Sequence, residues 1–495
     1  MRGRANKQTI QLRVHAEERP HGLSWLELFF DVVYVAALIQ LGDALADDVT
    51  WGGAANFALA FTVLWWTWTG TTFYFNRVLV DDVPHRLLVL LQIVVIGALA
   101  VQAPTALAGS GVGFALSYAA VRVILLLLYS RALRRHAALQ PLSQVFSLSY
   151  GTGATLFILS TVLPDDWRAP IWVVAILIEL SVPLTRWSQE RLVSLPVESG
   201  HLAERFAVLT IIVLGESFVK MIGALVDHGL TGEVVLYASI AYAGAAAMWW
   251  TYFDDIADSR VRSTGWMTLS RSVWLYAHLP LAAAITAYGV AAKKLVVLES
   301  LTEPLTSKAL ALLSISTLLV MATVAVIDAV TVSPFYGVSN RFRVRSRLGA
   351  AAVIGLIGLL GGSLPGWIAA GGIVAAAALQ ITLETLIASR AEKAVLSHEE
   401  TLVSTATCSD LEEIDPDDLP DVPHVCPRCL ATDTPWAQLR VCLTCGHVGC
   451  CDDSPVSHAR AHWEETGHRV IANDQPHNRW IWCYEHEALQ RMPEA

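Results

Sequence analysis

From about Trp25 to Ser389 the chain is a succession of apolar segments, most of about 18 residues or more, joined by short polar breaks. A segment of that length crosses a hydrocarbon core of about 30 Å as a helix. An open strand or loop would leave its backbone groups unsatisfied in lipid. Twelve segments read this way: about 24–46, 53–75, 85–108, 112–130, 143–163, 169–187, 205–226, 232–253, 270–292, 308–331, 347–363 and 366–388. The last two are separated only by Gly361-Gly362-Ser363-Leu364-Pro365-Gly366, a tight hairpin. The 16% of charged residues lies well below the soluble norm of about 25%. The net charge of −10, with basic residues scattered over many loops, gives no nucleic-acid surface. The first 22 residues are polar and hold no apolar core ending at a cleavage site, so no signal peptide is expected and the first apolar segment stays as a span.

Lysine and arginine accumulate on the cytoplasmic side of membrane proteins. With the N-terminus inside, the inner segments carry 22 such residues and the outer loops four, Arg168, Lys293, Lys294 and Lys308. The even span count brings the C-terminus back to the cytoplasm. The expected location is the inner (plasma) membrane, multi-pass, in contact with lipid.

The two halves share landmarks. Trp65-Trp66-Thr67-Trp68 is echoed by Trp249-Trp250-Thr251-Tyr252, Arg86 by Arg271, Leu163-Pro164 by Leu364-Pro365, and Glu179 by Glu384. Six spans per half would give two repeats of the same orientation, as in transporters with parallel halves. The Trp-rich ends of spans 2 and 8 read as interfacial anchors.

Charges at membrane depth cost about 2.5 kcal/mol or more each and face a protein interior or a wet cavity. Span 1 carries Glu27 and Asp31, with Tyr34 on the same face. These acids are expected close to the inner surface, with partial access to water. Span 7 carries Glu216 and Lys220 in the order that favours an ion pair. Arg122, Glu179, His278, Asp328 and Glu384 are further candidates for pairing between helices. Glu216, between Gly215 and Ser217, is the carboxylate best placed for proton exchange.

Several of these residues fall in long motifs. Trp25-Leu26-Glu27-Leu28-Phe29-Phe30-Asp31-Val32-Val33-Tyr34-Val35, Trp65-Trp66-Thr67-Trp68 with Asn76-Arg77, and Glu204-Arg205-Phe206 followed by Ile211-Ile212-Val213-Leu214-Gly215-Glu216-Ser217 resemble the bacterial low temperature requirement protein A family over about 20–390. The resemblance implies a multi-span bacterial membrane protein and places polar signatures at Glu27, Asp31, Glu204, Arg205 and Glu216.

The tail is different in kind. From His424 to His486 there are seven of the eight cysteines and seven histidines. The knuckles Cys426/Cys429 and Cys442/Cys445 precede Cys450, Cys451, His458, His462 and His468. Thiolate and imidazole at such spacings suit tetrahedral structural zinc. The alternative, a disulfide framework, is disfavoured in a reducing cytoplasm. His458 and His462 lie one turn apart, as on a short helix. So small a module needs its metal to fold.

This region is similar to the ubiquitin-protease-type (UBP-type) zinc finger. Spacing leaves open which ligands share an ion. The resemblance implies Cys426, Cys429, Cys450 and His458 on one zinc, and Cys442, Cys445, His462 and His468 on a second, about two structural ions in all. Cys483 and His486 match part of a third site whose upstream cysteine-histidine partner is missing, and Cys408 and Cys451 have no role. Members that bind ubiquitin clamp its C-terminus between aromatic rings beside an arginine. Trp482 and Tyr484 match the aromatic positions as partner-binding candidates. After Cys450, however, the chain reads Cys451-Asp452-Asp453, so the arginine is absent and ubiquitin does not follow as ligand.

The expected fold is an all-α polytopic membrane protein of about 12 transmembrane helices, with a six-plus-six repeat, joined to a small α+β zinc-binding domain. Its parts are a cytoplasmic segment 1–22, the membrane domain 23–389, an acidic, extended linker 390–423 and the zinc finger 424–490. Two functions remain open: a proton- or cation-coupled secondary transporter, and a membrane sensor or scaffold that recruits a cytoplasmic protein through the zinc finger. No Gly-x-Ser-x-Gly, His-Glu-x-x-His or phosphate loop occurs, so no enzyme is expected.

Overall fold

The computed structural model of the protein describes residues 11–12, 24–79, 82–106, 111–192, 199–253, 260–261, 267–332, 338–401, 408–412, 414, 425–432, 436, 438–452, 454, 456–473 and 480–491. The expected N-terminal segment 1–22 lies almost entirely outside these residues. Among those described, twelve helices have 17 residues or more: α1 (Trp25–Asp47), α2 (Trp51–Arg77), α3 (Val83–Gln102), α4 (Val112–Leu133), α5 (Gln140–Ser160), α6 (Asp165–Ser181), then, after the short α7 (Arg186–Leu192), α8 (Ser199–His228), α9 (Gly232–Phe253), α10 (Met267–Val296), α11 (Ser307–Val330), α12 (Asn340–Leu360) and α13 (Gly366–Thr401). Their starts carry the expected signals: Ser24, Thr50 and Asp82 cap the backbone N–H groups of Glu27, Gly53 and His85.

Eleven of the twelve are long and apolar enough to cross a membrane; α2 is the exception. Its composition has a structural reason. Every residue from Val63 to Thr72 is buried, so this helix is enclosed by protein rather than lipid. It can therefore carry threonines, and Thr69 and Thr71 return their hydroxyls to the Trp65 and Thr67 carbonyls. By contrast α3 turns Leu87, Leu91 and Val94 outward, an apolar face suited to lipid.

α2 nonetheless crosses. Arg205 and Lys220 of α8 meet Asp31 and Asp43 of α1, so residue numbers rise together along the two helices and they run parallel. Reversing direction at each connection, α2 to α6 must supply five crossings for α8 to return to the direction of α1. Four crossings would make the pair antiparallel. Direction thus places α2 among the helices that reverse the chain between α1 and α8, beside the eleven that length and hydropathy mark among the described residues.

The chain divides into two compact units, 1–253 with 276–323 and 351–376, and 254–275 with 324–350 and 377–495. Within the first, two-residue strands β1 (Gln11–Leu12) and β2 (Val78–Leu79) pair antiparallel, tying the segment before α1 to the end of α2. Within the second, β3 (Arg260–Val261) and β4 (Thr331–Val332) do the same around α10 and α11.

The tail, in the second unit, is an antiparallel sheet in the order β6-β5-β7-β8-β9: β5 (Leu439–Cys442), β6 (Val448–Cys450), β7 (Val470–Asn473), β8 (Trp480–Cys483) and β9 (Ala488–Arg491). Three short helices accompany it, α14 (Ser409–Glu412), α15 (Pro427–Thr432) and α16 (His458–Thr466). The α+β expectation holds. The extended linker does not hold over its whole length. α13 continues to Thr401 through residues rich in helix formers, and Cys408 and Leu411 are buried in the same core as Val441 and Ile481.

Candidate functional site

The candidates form two groups: ion-paired centres buried between membrane helices, and the cysteine-histidine clusters of the tail.

At one end of the α1/α8 seam, Arg205 donates to Asp31 across 2.8 Å, and its second terminal nitrogen lies 3.7 Å from Glu27. Asp31 also accepts from the Trp68 indole at 2.7 Å, and His201 lies 3.0 Å from the same Glu27 oxygen that faces Arg205. Asn76 holds the far nitrogen of His201 at 3.3 Å, and Thr72 touches Arg205 at 3.4 Å. Glu27 and Asp31 are 5% and 0% exposed. The expected access to water is therefore a misreading: α2 and α8 cover this face of α1. The Trp65–Trp68 motif is corrected as well. Trp65, Trp66 and Trp68 are buried, and Trp68 is a donor to Asp31 rather than an interfacial anchor, whereas Trp249 and Trp250 are exposed as anchors would be.

At the other end of the seam, Lys220 lies 3.1 Å from Glu216, the pair expected from their spacing, and 2.5 Å from Asp43 of α1. Asp43 escaped the sequence reading because it sits near the end of its span, where a carboxylate is readily solvated. Each cation of the seam thus serves two carboxylates.

Away from the seam, Arg122 of α4 pairs with Glu179 of α6 at 2.6 Å, and Tyr118 donates to the same carboxylate at 2.8 Å. His278 meets the Tyr252 hydroxyl at 3.1 Å. In the second unit Arg347 pairs with both Asp328 and Glu384. Glu179 and Glu384, matched in the expected repeat, both face arginines, but these come from differently placed helices, α4 and α12. Arg347 was recognised only as a positive charge near a helix end; α12 begins seven residues before it and carries it inside.

In the tail, His458 Nδ1 lies 3.4, 3.2 and 3.4 Å from the sulfurs of Cys426, Cys429 and Cys450. A tetrahedron with Zn–S of about 2.3 Å and Zn–N of about 2.0 Å has S···N edges of roughly 3.5 Å, so this convergence fits the ion. The electrostatics agree. The Cys450 thiol donates to Cys426 and holds it down at about 4, while burial pushes Cys429 up to about 12 and Cys450 is raised by giving its proton to Cys426. Packed thiols that compete for protons in this way are deprotonated together by a bound dication. The donor atoms of Cys442, Cys445, His462 and His468 converge likewise. Gly446 and Gly467, at φ +73° and +72°, turn the chain after β5 and α16 and so bring Cys445 and His468 to the site.

The interleaved arrangement implied by resemblance is thus the one the fold assembles. A third group, Cys408, Asp410, Cys483 and His486, also lies within 4.8 Å. The upstream partner expected to be missing is present at the start of α14, inside the supposed linker: Cys408 immediately precedes the helix and Asp410 lies on it, an aspartate where a histidine was sought. None of the eight cysteines is in a disulfide. Cys451 joins no cluster and lies 3.5 Å from Ser454.

The two aromatic candidates part company. Trp482 is half-buried, while Tyr484 is buried, stacked on Trp463 at 5.1 Å with the Arg460 guanidinium 5.3 Å above its ring. Arg460 also pairs with Asp452 at 2.7 Å. The acidic reversal after Cys450 is therefore met by an arginine from α16, a partner visible only once helix and loop are folded together.

Fold and site together define a multi-pass membrane protein with a zinc-binding module at its C-terminal end. The sequence pattern described as Bacterial low temperature requirement A protein (LtrA) matches residues 23–388, and the chain belongs to that family. A second pattern, described as Zn-finger in ubiquitin-hydrolases and other protein, matches residues 426–493. Among curated relatives, the uncharacterized protein RA0937 of Rhizobium meliloti (strain 1021) is 31% identical over 273 residues, 53% of this chain and 66% of that protein. The chain thus spans just under two thirds of that relative's length. A solution NMR structure, protein RPA1320 from Rhodopseudomonas palustris, is 39% identical, with 18% of this chain covering 92% of it at a TM-score of 0.16.

Proposed function

We propose that the membrane domain is a secondary transporter coupled to protons or another cation, inserted in the plasma membrane with both termini cytoplasmic. The observation that supports it most is the α1/α8 seam, where Arg205 and Lys220 are each shared by two carboxylates. At the Arg205 end His201 stands by as a second basic group, but at the Lys220 end one cation for two acids leaves a negative charge for a proton or bound ion to neutralise, which is the chemistry of ion coupling. The test is solute uptake into proteoliposomes driven by an imposed pH gradient, with Glu216→Gln beside wild type. Gradient-driven uptake that is lost in the variant supports the reading, and uptake unaffected by the substitution counts against it.

The tail we read as a protein-docking module held together by three structural zinc ions, one at each of the three ligand clusters. Closed ligand sets leave no coordination position for catalysis. A sensor or scaffold role for the whole protein is favoured by one observation, the half-buried Trp482 on a module otherwise tightly packed. Pull-down with the full chain in detergent discriminates. A specific partner lost on Trp482→Ala supports recruitment, and a partner retained by that variant places the docking surface elsewhere.

A further inference from the structure

Glu216 is 2% exposed, and among the described residues neither of its carboxylate oxygens accepts a well-directed hydrogen bond. Lys220 stands 3.1 Å from Oε1 but directs its hydrogen bonds to Asp43 Oδ1 at 2.5 Å and to the Ile39 carbonyl at 3.5 Å. Two carboxylates therefore compete for one ammonium, and they are not equivalent. The Asp43 side chain is 51% exposed and can be hydrated when Lys220 leaves it. Glu216 has no such recourse. A buried carboxylate that keeps its charge without a donor is strongly disfavoured, whereas the neutral acid needs no counter-charge.

The helix surface between the two acids is bare. It is formed by Gly42, where a methyl group would meet Lys220 Cε at 2.9 Å, Lys220 Nζ at 3.1 Å and Glu216 Oε1 at 3.3 Å. The missing side chain lets Lys220 and Glu216 pack directly against α1, so the ammonium reaches both acids from one position. The remaining surroundings carry little that would compete. From α10, Ile285 offers its carbonyl to Ser217 at 3.2 Å, and Lys294 caps the Ala46 carbonyl at 3.0 Å beyond Asp43. From α9, Tyr242 packs on Phe218. Arg205 lies eleven residues back on α8, roughly 16 Å along the axis.

We propose that Glu216, Lys220 and Asp43 form a proton-exchange site that works by a change of partner. With a proton on Glu216, the Lys220 ammonium pairs with Asp43. When the proton leaves Glu216 for water at the Asp43 mouth, Lys220 turns to the new carboxylate and Asp43 is hydrated in its place. The site gains one negative charge in that step, and protonation of Glu216 restores it. The mouth lies on the side where α1 ends, so with a cytoplasmic N-terminus the proton enters from outside. The inference rests on the proton-coupled reading above and names its entry point.

The test is infrared difference spectroscopy of the full-length protein in lipid vesicles, following carboxylic-acid C=O absorption as pH is raised. Wild type is expected to lose one such band and Glu216→Gln to lack it at every pH. Asp43→Asn, a change at a half-exposed residue, leaves Lys220 with Glu216 alone and should weaken proton affinity tenfold or more, moving the loss to lower pH. Lys220→Met should move it to higher pH. A band that persists in Glu216→Gln, or an Asp43→Asn midpoint equal to that of wild type, overturns the proposal. No transported solute is needed. The band without solute flux would sink the transport reading and leave this site standing, while flux without the band would do the reverse.

Discussion

Arg205 and Asp31 lie on helices 174 residues apart in the chain and meet at 2.8 Å with neither side chain exposed. Together with the Lys220–Asp43 contact further along, it sets the register of α1 against α8 and makes the two helices parallel. Removing one partner of a buried pair leaves the other uncompensated, at a cost of about 3–5 kcal/mol. Arg205→Met should therefore lower the thermal stability of the detergent-solubilised protein sharply. Adding Asp31→Asn should recover part of the loss, because one of the two stranded carboxylates is then neutral. Equal stabilities for the single variant and wild type would count against the pairing.

Arg122 and Glu179 permit a sharper comparison, because both are fully buried and belong to no shared seam. Arg122→Met alone should cost about 3–5 kcal/mol, whereas Arg122→Met with Glu179→Leu should return to within about 1 kcal/mol of wild type, since apolar replacement of a whole buried pair is often neutral. Chemical-denaturation curves of the two variants decide it. A double variant as unstable as the single one would assign the pair a structural role that apolar packing does not replace.

Metal content tests the tail. Three zinc ions per chain are expected, falling to two in Cys408→Ser with the other two retained. Protons compete with zinc for thiolates and imidazoles, so metal is held near neutral pH and released as pH falls. Acid or chelator should collapse the tail while leaving the helical circular dichroism of the membrane domain in place. Two ions in wild type and in Cys408→Ser alike would remove the third site.

Trp482 and Tyr484 should separate surface from core. Tyr484→Ala removes a buried ring stacked on Trp463 and is expected to destabilise the tail by about 3–5 kcal/mol. Trp482→Ala should be much milder, because that ring is only half-buried. Limited proteolysis of the two variants measures the difference, and equal sensitivity would contradict the placement.

What could be read from the chain alone divides along a physical line. Hydropathy, ligand type and local spacing are properties of short segments, so the spans, the Glu216/Lys220 pair and the eight ligands of the first two zinc clusters were legible. Tertiary pairing is not local. Nothing in sequence joins Arg122 to Glu179 or His201 to Glu27, and Asp43 looked like an ordinary helix-end acid. Cys408 and Asp410 were hidden by composition: an acidic, proline-bearing stretch reads as a tether even when four of its residues form the turn that closes a metal site. α2 was legible as a helix, but its tryptophans were placed at the interface because a buried aromatic and an anchoring one look alike until the neighbours are known.

The most direct test of the account is the sidedness of the ends of α1 and α8. Cysteines introduced at Thr50, between α1 and α2, and at Leu230, between α8 and α9, can be probed with an impermeant thiol reagent in intact cells, against a tail cysteine placed at exposed Val456 as reference. The account predicts that both introduced thiols react from outside and that the tail reacts only after the cells are opened. Labelling of Thr50→Cys and Leu230→Cys from opposite sides would contradict it, because parallel helices cannot end on different faces of a membrane.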